Sequence, residues 1–79
     1  TLQKGMMNDP AVAKLQQFLN AYNWSPALPL LPVTGNYLDM TVKVVDAAQA
    51  QCGLNTPDAN GTIVGPATKR LFAARGARW

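Results

Sequence analysis

The stretch DPAVAKLQQFLNAY, residues 9–22, decides the fold predicted for this chain. Asp9 is a favourable N-cap residue, and Pro10 suits the first position of a helix. Apolar residues then recur at intervals of three or four, the spacing of one helical face: Val12, Leu15, Phe18, Leu19 and Tyr22. The stretch therefore predicts an amphipathic helix near residues 10–23, whose apolar face needs other elements to cover it.

Two further helices are predicted downstream. Asp39 can cap a helix near residues 39–52, and a glycine follows it as a stop signal. Pro66 can open a third helix near residues 66–75. The inner face predicted for that helix has five members: Ala67, Thr68, Leu71, Phe72 and Ala74. We therefore expect an all-α domain, a small three-helix bundle with long connecting loops.

The first connection contains a Pro-rich loop, residues 25–33. Pro26, Pro29 and Pro32 each fix their own φ and push the preceding residue toward an extended conformation. The remaining residues of the loop are largely leucine and valine. We expect this loop to lie against the core.

The composition limits the chemistry available to the chain. It has 79 residues, a net charge of +3, one Cys and no His or Glu, so the commonest general base and metal ligand is missing. Asp39 and Asp46 lie seven residues apart on one predicted helix, about 10 Å of rise, and make a poor glycosidase pair. We expect no catalytic residues, no metal site and no cofactor.

The length and the ends of the chain suggest a module. Seventy-nine residues form one small domain, with a free energy of unfolding of about 4–12 kcal/mol. No apolar run approaches the roughly 20 residues of a membrane span. Because the chain starts at Thr1, we interpret residues 1–79 as a single module cut from the C-terminal end of a larger protein.

An ordered set of short motifs runs along nearly the whole chain. Its members are Leu2-x-x-Gly5, Val12-x-x-Leu15-Gln16-x-x-Leu19, Gly35-x-Tyr37, Thr41-x-x-Val44-Val45-x-x-x-Gln49, Gly53-Leu54, Asn60-Gly61 and Gly65-Pro66-x-Thr68-x-x-Leu71. The set resembles the peptidoglycan-binding domain of the first type, a three-helix module of bacterial and phage cell-wall hydrolases. Ala48 departs from the family, which usually has Phe there, and this predicts a gap in the core that Leu30, Leu31 or the longer Pro-rich loop would fill.

The resemblance implies a function and its partners. It implies a non-catalytic module that anchors a peptidoglycan hydrolase, an endolysin or autolysin, to bacterial peptidoglycan. The partners would be the glycan strand or the stem peptide, together with a catalytic domain of the same chain. The location would be extracellular, periplasmic or in the cell wall, or a phage protein would act on the wall of its host. Neither nucleic acid nor a membrane is an expected partner.

Six residues are candidates for contact with the ligand: Trp24, Asn36, Tyr37, Asp39, Asn60 and Thr62. Tyr37 follows a turn glycine in the region that the resemblance places beside the wall-binding groove. An aromatic ring can stack on a sugar, and amide and hydroxyl groups can bind its polar substituents. The alternative is that Tyr37 and Trp24 are core residues, that Asn36 only shapes its turn, and that Asp39 only caps its helix.

Three other functions stay open from the sequence. A protein-docking or structural domain would use the apolar Pro-rich loop and Trp24 as its contact surface. A small DNA-binding domain would use the positive charge, although the predicted connections far exceed the turn of about 3–4 residues in a helix-turn-helix. A hydrolase in its own right would need the few carboxylates to form a site.

Overall fold

The computed structural model describes residues 1–22, 24, 28, 30–54, 56 and 59–78. Its elements in chain order are β1 (Leu2–Gln3), α1 (Pro10–Asn20), α2 (Asp39–Gln51), β2 (Ile63–Val64) and α3 (Pro66–Ala74). The described part of the chain thus has three helices and a small two-stranded sheet, which confirms the predicted three-helix fold class.

The sheet was not predicted. Strands β1 and β2 pair antiparallel, with Leu2 opposite Val64 and Gln3 opposite Ile63. Each strand has only two residues, too few to produce a visible alternation in the sequence. Leu2 and Val64 are both buried, so the sheet closes one side of the core and ties the start of the chain to the entry of α3.

Helix α1 begins as predicted but ends at Asn20, three residues before the expected end. At its start, the Asp9 carboxylate accepts a hydrogen bond of 2.8 Å from the Ala11 N–H. At its end, the Asn20 side chain binds both backbone groups of Leu31, and the Trp24 indole N–H donates to the Leu19 carbonyl oxygen. These side-chain bonds to the following segment replace a further helical turn.

The Pro-rich loop is only partly described, since residues 25–27 and 29 lie outside the described set. Within the described part, Leu31 is buried and belongs to the same core cluster as Ala48. Leu30 is 74% exposed, so it does not fill space beside Ala48.

Helix α2 begins at Asp39 without the predicted cap. The N-cap position is Leu38, and no side chain of the described residues caps this end of the helix. Asp39 is instead the first helical residue, and its carboxylate lies 2.7 Å from the Lys4 ammonium. At the other end, the helix stops at Gln51, one residue before the predicted 52, and Gly53 follows with φ +85°.

Helix α3 buries fewer residues of its predicted inner face than expected. Thr68 and Phe72 are buried, Leu71 is half-buried, and Ala67 and Ala74 are exposed. Residues four apart form one line on a helix, so this nine-residue helix touches the core along a single line. It ends at Ala74, one residue earlier than expected.

An aromatic cluster joins α1 to α3. The Phe18 ring lies 5.2 Å from the Phe72 ring and 5.8 Å from the Trp24 ring, measured between centroids. The Arg75 guanidinium lies 5.8 Å from the centroid of a Trp24 ring. Trp24 is 6% exposed, so it belongs to the core.

Candidate functional site

The turn before α2 is held by the buried side chain of Gln16. Its amide oxygen accepts hydrogen bonds from the backbone N–H groups of Thr34 (2.9 Å) and Gly35 (3.0 Å). Its amide nitrogen donates to the Asn36 carbonyl oxygen (3.0 Å) and to the Thr41 hydroxyl (3.2 Å). Gln16 is 1% exposed. One side chain of α1 thus forms hydrogen bonds both to the backbone of the turn and to a hydroxyl group in the first turn of α2.

The turn before α3 is held in the same way by Gln49 of α2. Its amide oxygen accepts from the Gly61 N–H (3.0 Å). Its amide nitrogen donates to the Ile63 carbonyl oxygen (3.0 Å) and to the Thr68 hydroxyl (3.2 Å). Helices α1 and α2 therefore each carry a buried glutamine. It binds the turn that leads into the next helix and a threonine in the first turn of that next helix.

The N-terminal segment brings these two turns together. The Lys4 N–H donates to the Thr62 carbonyl oxygen, and the Gly5 N–H donates to the Tyr37 carbonyl oxygen, both at 2.8 Å. The Tyr37 hydroxyl also donates to the Gly61 carbonyl oxygen at 2.6 Å. As a result, residues near 36 and residues near 61 lie on one side of the molecule, although they are far apart in sequence.

The two aromatic candidates are core residues. Tyr37 has no exposed surface, and its burial raises the pKa of its hydroxyl above the usual value of 10. The Trp24 indole is buried and its N–H is bonded to Leu19. Neither ring presents a face to a sugar, and the core interpretation holds for both.

The polar candidates have structural bonds. The Asn36 amide oxygen accepts from the Asn8 N–H at 3.0 Å. The Asn60 amide oxygen accepts from the Thr62 N–H and from its hydroxyl, at 3.1 and 2.5 Å. Asn36 and Thr62 are half-buried and Asn60 is exposed. Asn36 keeps its turn in shape and still reaches the surface, where a ligand can meet it.

Asp39 lies at the surface of the same side. Its carboxylate is 82% exposed and pairs with Lys4. The hydrogen bond from Lys4, and then its charge, hold the pKa of Asp39 below the usual value. Because both side chains of this ion pair are exposed, both water and a ligand can reach it.

A groove lies beside the first turn, and we call it the first-turn groove. It has a volume of about 330 Å³. Its described lining combines apolar and uncharged polar side chains: Gln16, Leu31, Pro32, Thr34, Asn36, Leu38, Met40 and Thr41. Leu38 is 48% and Met40 44% exposed. None of these lining residues is charged or aromatic.

A smaller groove of about 170 Å³ occupies the equivalent place beside the second turn. It is lined by Gln49 and Thr68, the counterparts of Gln16 and Thr41, together with Leu54, Thr56, Ala59, Ile63, Gly65, Pro66 and Ala67. Of the six candidates, only Asn36 lines either groove.

The motif set contains both glutamines, but sequence reasoning missed their role in holding the turns. Both stand on the side of a helix that faces the core, each directly after an apolar residue, and each precedes a turn glycine and a threonine. That repeated order was the signal. A lone buried glutamine breaks the apolar pattern, so periodicity alone does not reveal its role.

A comparison with protein-family models decides the family. Residues 8–71, well over half of the chain, match the family described as "Putative peptidoglycan binding domain". The chain belongs to this family. Searches of curated proteins and of solved structures found no significant match.

Because the chain belongs to a peptidoglycan-binding family, we associate the domain with the cell wall. Among its described helices, none has the length and hydropathy of a membrane span. The described residues likewise bring together no group of three metal-binding side chains.

Proposed function

We propose that this peptidoglycan-binding domain anchors a peptidoglycan hydrolase to the wall and contacts the wall through the first-turn groove. The family match carries the proposal. The parent enzyme would be an endolysin or autolysin working outside the cell, in the periplasm, or from a phage on the host wall. Tethering raises the local concentration of a linked enzyme, with gains in avidity of about 10²–10⁴-fold.

The chemistry of the first-turn groove supports its role. Its rim offers exposed aliphatic surface from Leu38 and Met40, and Asn36 supplies an amide at its edge. Ligand sites are usually concave, mostly apolar and equipped with a few fixed polar groups. Since Gln16 fixes the backbone of the turn, the groove needs little reorganisation when it binds.

The test is co-sedimentation with purified peptidoglycan sacculi. We expect the folded domain to pellet with the sacculi. A domain that stays in the supernatant at low salt, while circular dichroism shows its helices, would overturn the proposal.

A pair of methionines locates the contact. Met40→Gln changes the rim of the first-turn groove, and we expect it to weaken binding several-fold. Met7→Gln is the matched control, since Met7 is 54% exposed and does not line this groove. Equal binding by both variants would exclude the first-turn groove as the contact surface.

The alternative is a protein-docking domain. The observation in its favour is that four large apolar side chains between the end of α1 and the first turn of α2 are exposed: Leu30, Val33, Leu38 and Met40. Chemical-shift mapping distinguishes the two functions: a muropeptide would shift the groove residues if the domain binds the wall, whereas another domain of the parent protein would shift them if it docks there.

A further inference from the structure

A third groove lies on another side of α1, between this helix and the chain that follows α3. Its volume is about 320 Å³, and its described lining is Lys14, Gln17, Phe18, Gly76 and Arg78. None of these residues lines the first-turn groove. We call it the Lys14–Arg78 groove.

The backbone of this groove is fixed on both sides. Lys14 lies within α1. After α3, the chain reverses at Gly76, with φ +108°, and the Ala77 N–H donates to the Phe72 carbonyl oxygen at 3.0 Å. The Tyr22 hydroxyl donates to the Arg75 carbonyl oxygen. These bonds hold the segment that carries Arg78 against α1.

The groove has positive charges that nothing in the described chain neutralises. Neither Lys14 nor Arg78 has an ion pair or hydrogen bond to a described residue. The described carboxylates lie elsewhere: Asp9 caps α1, Asp39 pairs with Lys4, and Asp46 lies beside Gly61. An anion that entered the groove would therefore meet two cations and none of the described carboxylates.

The side chains suit a carboxylate. An arginine can donate two parallel hydrogen bonds to it, and a lysine adds a mobile point charge. Stem peptides of peptidoglycan carry free carboxylates, whereas the described lining of the first-turn groove has no charged residue to meet one. We propose that the Lys14–Arg78 groove binds a carboxylate of the peptidoglycan stem peptide. This inference rests on the proposed function and names the part of the wall that is recognised.

The test compares two double variants that each remove two positive charges. K14Q/R78Q changes the groove, and K43Q/R70Q changes exposed cations that do not line it. The ligand is a disaccharide-tetrapeptide titrated at low salt, both unmodified and with its carboxylates amidated. We expect K14Q/R78Q to bind the unmodified ligand about tenfold more weakly than the wild type, the scale of two charge contacts at an exposed site. We expect K43Q/R70Q to change binding less than twofold.

Amidation separates the carboxylate from charge in general. It should weaken wild-type binding about as much as K14Q/R78Q does, and it should have no further effect on K14Q/R78Q. Equal losses in the two double variants, or full binding by K14Q/R78Q, would overturn the inference. So would stronger competition by a phosphodiester polymer or duplex DNA than by the tetrapeptide ligand.

The outcomes keep the two proposals apart. If the wild type pellets with sacculi but K14Q/R78Q binds as well as K43Q/R70Q, only the carboxylate site fails. If the wild type does not bind sacculi at all, the proposed function fails and the carboxylate site fails with it.

Discussion

The turn before α2 and the turn before α3 are built from the same parts but are packed differently. In both, a buried glutamine binds a glycine N–H, a backbone carbonyl and a threonine hydroxyl. Gln16 also accepts a hydrogen bond from a second backbone N–H, that of Thr34, and no described residue gives Gln49 a counterpart of this bond. Around the second turn, Gly61 presses against the middle of α2, next to Val42 and Asp46.

The difference separates a packing role from a surface role. The second turn is wedged against a helix and has the smaller groove, of about 170 Å³. The first turn faces the start of α1 and has a groove of about 330 Å³ with an apolar rim. The same local construction thus supports the core at one place and, as we propose, a ligand surface at the other.

Substitution of the two turn glycines by alanine should have the largest effect on stability and should differ most between the two turns. Gly61 and Gly35 both have φ near +80°, which disfavours any side chain. A Cβ at Gly61 would overlap the Val42 carbonyl oxygen, whereas one at Gly35 would lie 2.9 Å from the backbone of Asp9. We expect Gly61→Ala to cost about 4 kcal/mol and Gly35→Ala about 2 kcal/mol of unfolding free energy, measured by urea denaturation. A larger loss at Gly35 would contradict the assignment of the packing role.

Removal of the buried glutamine amides should have the second-largest effect on stability. Gln16→Met leaves four polar groups without this partner, and we expect it to cost about 3 kcal/mol; Gln49→Met leaves three, and we expect about 2 kcal/mol. Gln17→Met is the control, because Gln17 is exposed on the same helix as Gln16, and a surface change stays within about 0.5 kcal/mol. Thermal denaturation followed by circular dichroism measures all three. Equal stability of Gln16→Met and Gln17→Met would show that the amide does not hold the turn.

Tyr37→Phe cuts the side-chain bond between the two turns. We expect a loss of about 1 kcal/mol at neutral pH, since one buried hydrogen bond to the Gly61 carbonyl oxygen is removed. The folded-state pKa of Tyr37 is raised, so its contribution is complete below pH 10 and falls as the pH rises above that value. The stability of the wild type should therefore approach that of Tyr37→Phe in alkaline solution. Denaturation of both proteins from about pH 8 to about pH 11, a range that spans the usual tyrosine pKa of about 10, tests this prediction. A stability difference between the two proteins that stays constant over this range would contradict it.

Asp39→Asn should have the smallest effect. The Lys4–Asp39 pair is exposed, and exposed pairs contribute little. Because the folded-state pKa of Asp39 is lowered, the small contribution is present at neutral pH and is lost as the pH falls through that pKa. We expect the urea midpoint at pH 7 to stay within experimental error of the wild type. A clear loss would mean that the pair helps to join the N-terminal segment to α2.

The candidate site shows where sequence reasoning stopped. Asn36 was expected near the ligand, and the structure places it on the rim of a groove. For Tyr37 and Trp24, the sequence left two alternatives open, ligand contact and core packing. A sequence shows that a residue is aromatic but not which neighbours cover it. The role of Gln16 and Gln49 was missed because their partners, apart from the threonines, are backbone groups, which every residue carries and no pattern reveals.

The three helices and the family could be predicted from the sequence. Helical spacing of apolar residues, Asp9 and Pro10 at the start of α1, and the glycines and prolines between helices are local signals, and local signals act within a few residues. Only the tertiary structure decided which polar groups are buried, how the N-terminal segment joins the two turns, and where the grooves open. Those features bring together residues far apart in the chain, such as Tyr37 and Gly61 in one hydrogen bond and Lys14 and Arg78 in the lining of one groove, and this happens only once the helices have packed.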